Sequence, residues 1–191
     1  MKIFTGTFII LCSMSSAAVL AESKSNLNID GLNQSQSGSR NDQKTDIGNA
    51  KAGTFAGAKS NVNAKNITQS QSGSRNDQKM EIGNATGSTF TGATSNVNTK
   101  NVTQSQSGSR NDQKMEIGNA KAGTFAGATS NVNAQNITQS QSGSRNDQVL
   151  RIGNAKGGTF ESSKSNVTAK NISQSQSGSR NSQSTNLGNA E

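Results

Sequence analysis

The chain is dominated by alternation. From Ile67 to Gly73, the residues Ile67, Gln69, Gln71 and Gly73 share one parity, and Thr68, Ser70 and Ser72 take the other. From Asn76 to Asn84 the same period holds, with Asn76, Gln78, Met80, Ile82 and Asn84 on one face and Asp77, Lys79, Glu81 and Gly83 on the other. A two-residue period predicts extended strands with one face turned inward. A third segment sets Ser60, Val62 and Ala64 on one side. Val62 and Ile67 differ in parity, so a bend is predicted near Lys65 and Asn66. Ser74 and Arg75 read as the turn between the two longer runs, and Gly53 and Gly57 place Phe55 in a loop or bend. No sustained 3.6-residue stripe appears, and Gly, Asn, Ser and Thr are poor helix formers, which argues against a helical repeat.

These segments recur. Ser-Gly-Ser-Arg begins at Ser37, Ser72, Ser107, Ser142 and Ser177, a constant step of 35 residues. Full units cover 51–85, 86–120, 121–155 and 156–190, preceded by a unit at 23–50 that is truncated at its front. Some positions hold in every unit. Gln34, Gln69, Gln104, Gln139 and Gln174 form one column; Gln36, Gln71, Gln106, Gln141 and Gln176 form another. Gly38, Gly73, Gly108, Gly143 and Gly178 form a third, and Asn41, Asn76, Asn111, Asn146 and Asn181 a fourth. Apolar columns are Ile47, Ile82, Ile117, Ile152 and Leu187; Leu32, Ile67, Val102, Ile137 and Ile172; and Leu27, Val62, Val97, Val132 and Val167. Phe55, Phe90, Phe125 and Phe160 form the aromatic column.

Strands repeated at a fixed step predict an all-β repeat fold, a β-solenoid of stacked strand–turn–strand units with amyloid-like cross-β character. Identical side chains then superpose about 4.8 Å apart. A buried amide is costly unless it is bonded, and stacking lets each Gln or Asn donate to one copy and accept from the other. Stacked Ile and Phe are expected to add apolar burial. On the outward face, Arg75 and Asp77, and Lys79 and Glu81, alternate in sign. Opposite signs in adjacent columns offset the repulsion of like charges stacked within one column. This face reads as a solvated surface, or as gatekeeping charge beside sticky strands. In the last unit Ser182, Ser184 and Asn186 replace the charged pattern, as a cap or as the least guarded surface.

Composition narrows the class. Residues 1–21 read as a signal peptide: Lys2, an apolar run from Ile3 to Leu11, and small residues ending at Ala21. The run is too short for a transmembrane helix. Cys12 follows Leu11, where a lipoprotein anchor wants a small residue. Downstream, residues 22–191 hold no Cys, His, Trp, Tyr or Pro. Neither disulfides nor a large apolar core are expected to hold them, because only 28% of the whole chain is hydrophobic. Stability must come from backbone pairing and stacking. The formal net charge is +8, a modest positive field.

The run Gln71-Ser72-Gly73-Ser74-Arg75-Asn76 and its copies starting at Gln36, Gln106, Gln141 and Gln176 resemble the Gln-x-Gly-x-x-Asn core of curlin repeats. Asn66-Ile67-Thr68-Gln69 is similar to the strand entering that core. Here the unit is longer, with the region from Phe55 to Lys65 added. Curlins are subunits of curli, the extracellular amyloid fibres of bacterial biofilms. The resemblance implies a solenoid that polymerises with itself, a nucleator subunit, outer-membrane export machinery, and a secreted or cell-surface location.

Three function classes follow. A fibre subunit fits the ladders, the absence of Pro and the open ends expected of stacked strands. A monomeric binding solenoid is the alternative, its ligand a surface, a polyanion or nucleic acid; the positive charge allows nonspecific contact with matrix DNA. Asp and Glu are too sparse for calcium-binding repeats. An enzyme is disfavoured, because residues 22–191 lack the His and Cys that supply common bases and nucleophiles. No catalytic residue, metal site, cofactor or small-molecule substrate is expected.

Overall fold

The computed structural model describes residues 22–38, 40, 42–53 and 55–191. The leader assigned to residues 1–21 and Asn41 of the asparagine column lie outside the described residues. The remainder is built from strands alone. The first rung holds β1 (Ser23–Ser37), β2 (Asp42–Ile47) and β3 (Ala50–Lys51). The second holds β4 (Ala58–Ser72), β5 (Asp77–Ile82) and β6 (Ala85–Thr86), and the third β7 (Ala93–Ser107), β8 (Asp112–Ile117) and β9 (Ala120–Lys121). The fourth holds β10 (Ala128–Ser142), β11 (Asp147–Ile152) and β12 (Ala155–Lys156), and the fifth β13 (Lys164–Ser177) and β14 (Ser182–Leu187).

Pairing is parallel throughout and joins residues 35 apart, as in Gln69 with Gln104 and Ile82 with Ile117. Three sheets result, in the orders β1-β4-β7-β10-β13, β14-β11-β8-β5-β2 and β12-β9-β6-β3. The molecule is therefore a β-solenoid of about five turns. The structural rung starts at the long strand, so it is phase-shifted from the sequence unit by a few residues.

The predicted strands and bend are present, with a sharper geometry. The two shorter segments join into one 15-residue strand, β4, and Asn66 carries the bend at φ 55° without ending the strand. Lys65 and Asn66 are both turned outward, so the alternation resumes in opposite phase at Ile67. Asn tolerates the left-handed region better than most residues, and Gly31 holds the same place in the first rung at φ 82°. The turn after β4 uses two positive-φ residues, Gly73 at 116° and Arg75 at 62°. A Cβ on Gly73 would lie 1.7 Å from the Gly38 carbonyl oxygen, so the stacked turn admits glycine alone. Gly83, at φ 65°, turns the chain again at the end of β5. A Cβ there would lie 2.3 Å from Val97 Cγ2, which explains why the alternation fails at this buried position.

The core has two parts. Between the long-strand sheet and the β5 sheet lie the stacked columns of Val62, Ala64, Ile67, Met80 and Ile82 and their copies. Where β6 returns beside the start of β4, a second cluster is made of alanines, among them Ala58, Ala85, Ala93 and Ala120. Small side chains permit that close approach, and the two-residue strands β3, β6, β9 and β12 form the third side there.

Candidate assembly interface

The surfaces that another molecule could extend are the ladders and the strand edges. The sequence-predicted columns divide into three kinds. Gln69, Gln104 and Gln139 are fully buried, and they form an amide ladder: Gln104 Nε2 donates to Gln69 Oε1 at 3.3 Å, Gln139 to Gln104 at 3.2 Å and Gln174 to Gln139 at 3.1 Å. Gln69 and Gln104 also donate to the backbone carbonyls of Gln43 and Gln78, tying the two large sheets together. In the first rung Gln34 Oε1 accepts from the Thr45 hydroxyl, and in the last Gln174 Oε1 accepts from Thr185.

The second kind is buried without an amide ladder. Gln71 and Gln106 have both amide ends unpaired within the described residues, and along that column one amide contact appears, Gln176 to Gln141 at 3.4 Å. Asn76, Asn111 and Asn146 are also buried, but each Nδ2 donates to a backbone carbonyl of the next rung (Ser107, Ser142 and Ser177) at 2.8–2.9 Å. These asparagines lock the turn to its neighbour rather than stacking amide on amide, which corrects the expectation of a ladder at both columns. Asn181, in the last rung, is exposed.

The third kind is the phenylalanine column, which corrects the expectation of apolar burial. The rings of Phe55, Phe90, Phe125 and Phe160 stack at centroid distances of 5.3, 5.4 and 5.0 Å, with their planes nearly parallel. They do so on the outside, 51%, 51%, 47% and 68% exposed. The reason is local: each Phe sits at the tip of the loop joining a two-residue strand to the next long strand, where no second sheet can cover it. Ile47, Ile82, Ile117 and Ile152 are buried as expected, whereas Leu187 of the last rung is 42% exposed.

Two sets of ladders were not singled out from sequence. Gln43, Gln78, Gln113 and Gln148 form the tightest, with steps of 2.9, 2.8 and 2.8 Å. Their invariance across the first four units, and again at Gln183, was the available signal. Outward asparagines stack too: Asn61 on Asn26 at 2.6 Å, Asn96 on Asn61 at 2.8 Å, and Asn101 on Asn66 at 2.9 Å. The expectation that polar ladders mark the inward face concealed these. A shallow groove lies between the Asn61 and Asn63 columns over the Val62 column.

Of the two outward pairs of opposite sign, Lys79 with Glu81 and its copies form ion pairs, whereas among the described residues Arg75 and Asp77 do not. Lys79 bonds Glu81 at 2.5 Å, Lys114 bonds Glu116 at 3.0 Å, and Arg151 reaches one rung across to Glu116 at 3.0 Å. The hydrogen bond to Glu81 raises the Lys79 pKa against the opposing effect of partial burial. Asp42, Asp77, Asp112 and Asp147 stack in register. Partial burial raises the pKa of Asp77 and Asp112, and the neighbouring aspartates raise it further. Among the described residues no group of three or more His, Cys, Asp or Glu side chains converges as a metal site.

The edges are unequal. β1 and β13 are the outer strands of the long sheet, and β2 and β14 those of the second. In β13 and β14 the inward residues Val167, Ile172, Gln174 and Leu187 are half-buried or exposed, where their interior copies are buried. In β1 the inward residues Leu27, Ile29, Leu32 and Gln34 are half-buried, while Gln43 and Ile47 of β2 remain buried.

Fold and ladders together define a parallel β-solenoid with strand edges at both ends of its stack. No family model matches the chain, and neither a curated protein nor a solved structure is similar to it.

Proposed function

We propose that the protein is the structural subunit of an extracellular, curli-like fibre that grows by adding whole solenoids end to end. The observation that carries this reading is the fifth rung. It presents unpaired backbone groups along β13 and β14 and half-exposed copies of columns that are buried elsewhere. A further rung of the same sequence pattern would continue every sheet and re-bury those columns. The curlin-like Gln-x-Gly-x-x-Asn core lies at the turns that stack, and it supports a role in biofilm matrix and surface adhesion after export. A nucleator subunit and an outer-membrane export apparatus belong to that reading as partners.

Incubation of the purified chain from Glu22 onward tests it, followed by thioflavin-T fluorescence and electron microscopy. Seeded growth of unbranched fibrils is expected. A chain that stays monomeric with a strand-type circular dichroism spectrum would overturn the reading.

The arginine column favours a second activity of the same molecule. Arg40, Arg75, Arg110, Arg145 and Arg180 are all exposed and held at φ between 60° and 64°, repeating once per rung. Such a line of guanidinium groups suits nonspecific contact with a linear polyanion such as matrix DNA, with an affinity that falls steeply as salt is raised.

A further inference from the structure

We infer that the two terminal rungs carry a matched charge code that sets the polarity and register of the junction between copies: Asp30 of one copy seats against Lys170 of the next, and Lys51 against Glu191. This rests on the end-to-end fibre proposed above.

Two columns on the outer face carry charge of both signs. The first reads Asp30, Lys65, Lys100, Gln135, Lys170. The second reads Lys51, Thr86, Lys121, Lys156, Glu191. Each has one carboxylate, and the two stand at opposite ends of the molecule. If the fifth rung of one copy stacks below the first rung of the next with the internal 35-residue register, Lys170 meets Asp30. Within its own chain Asp30 accepts a hydrogen bond from Asn66 Nδ2 at 2.6 Å and stands in register with Lys65, and the junction brings Lys170 to its free side. Glu191 already bonds Lys156 at 3.2 Å, and the junction brings Lys51 to its other side.

Other features of the end rungs agree with this register. Met80, Met115 and Leu150 fill one buried column, but its terminal members are Thr45 and Thr185, each bonded to a glutamine of its own rung. Thr185 is exposed, so threonine there lowers the apolar surface at that free end, whereas Thr45 is buried; threonine still stacks on threonine when the ends meet. The left-handed kinks at Gly31 and Asn171 also coincide. Asp42 meets Ser182, so the aspartate column is interrupted at each junction. Of the like-charged pairs, Arg180 on Arg40 repeats the internal steps, and Lys164 meets Lys24, which Glu22 holds at 2.9 Å. A slip of one residue would turn every ladder to the wrong face.

The test uses two charge reversals, Asp30→Lys and Lys170→Asp, in the chain from Glu22 onward. Each variant alone places like charges at every junction, and its seeded elongation is expected to be about tenfold slower than wild type at low salt. An equimolar mixture restores complementary pairs in an alternating copolymer, so it is expected to elongate at close to the wild-type rate. Mixing cannot rescue a chain that merely fails to fold. Single variants that elongate as wild type would overturn the junction code and leave the fibre reading intact. A mixture as slow as its components would also overturn it. Failure of the wild-type chain to form fibres would remove the fibre reading and the code with it.

Discussion

At the scale of single residues, burial and bonding diverge, and the divergence decides which glutamines matter. Gln113 accepts and donates along its column at 2.8 Å on both sides, whereas Gln106 is equally buried with both amide ends unpaired. Gln113→Leu is therefore expected to cost roughly 1–3 kcal/mol, because its neighbours lose partners they cannot replace. Gln106→Leu is expected to be neutral or stabilising, since a desolvated unpaired amide is exchanged for an apolar group. Urea unfolding of both variants checks the contrast. The two columns look alike in the sequence, since both are invariant and inward-facing. Only the side-chain path to a neighbour at rung spacing separates them, and alternation carries no information about that path. Phe55 and its copies were legible as a column for the same reason that their exposure was not: a constant step reveals stacking, while burial depends on what lies opposite.

The aspartate column belongs to this scale too. Asp77 and Asp112 have folded-state pKa values raised above the ordinary 3.8, chiefly by burial and then by the aspartates stacked on them. The folded state thus holds more protons than the unfolded chain in mild acid. By linkage, this column's contribution is most favourable below the ordinary carboxylate range and is lost as pH rises through the raised values. An Asp77→Asn/Asp112→Asn variant is expected to gain stability relative to wild type at neutral pH and to lose that advantage in acid. Urea midpoints measured across that window check the sign.

At the scale of elements, the decisive feature is a strand that changes face without ending. The sequence located the bend through opposite parities at Val62 and Ile67. The structure absorbs it in one left-handed residue, Asn66, so a single 15-residue strand serves two packing environments. Asn101→Ala is expected to destabilise by about 1–2 kcal/mol, through strain at positive φ and through two lost ladder bonds. Asn101→Gly keeps the conformation, as Gly31 does in the first rung, and is expected to cost less. Thermal unfolding of the pair separates strain from hydrogen bonding. The two-residue strands were not legible: Ala85 and Thr86 are too few to show a period, and what they pack on is an alanine corner formed by residues distant in the unit. The turn was legible, through Gly73 and Arg75, because glycine and a fixed spacing carry its geometry directly.

At the scale of the whole molecule, a constant 35-residue step makes each rung a template for the next. The same property leaves the last rung paired on one side only, β13 with β10 and β14 with β11. The sequence made the solenoid evident because no insertion interrupts the step. The number of sides and the unequal exposure of the two ends depend on three-dimensional packing that the repeat does not encode. In the proposed fibre each chain contributes about five layers, so one subunit advances the axis by roughly 24 Å. Mass per unit length, measured on unstained fibrils by scanning transmission electron microscopy, reads this quantity directly. One chain per roughly 24 Å of fibril is the expected value for solenoids stacked end to end. A value near one chain per 4.8 Å, in which each molecule supplies a single layer, would contradict the account.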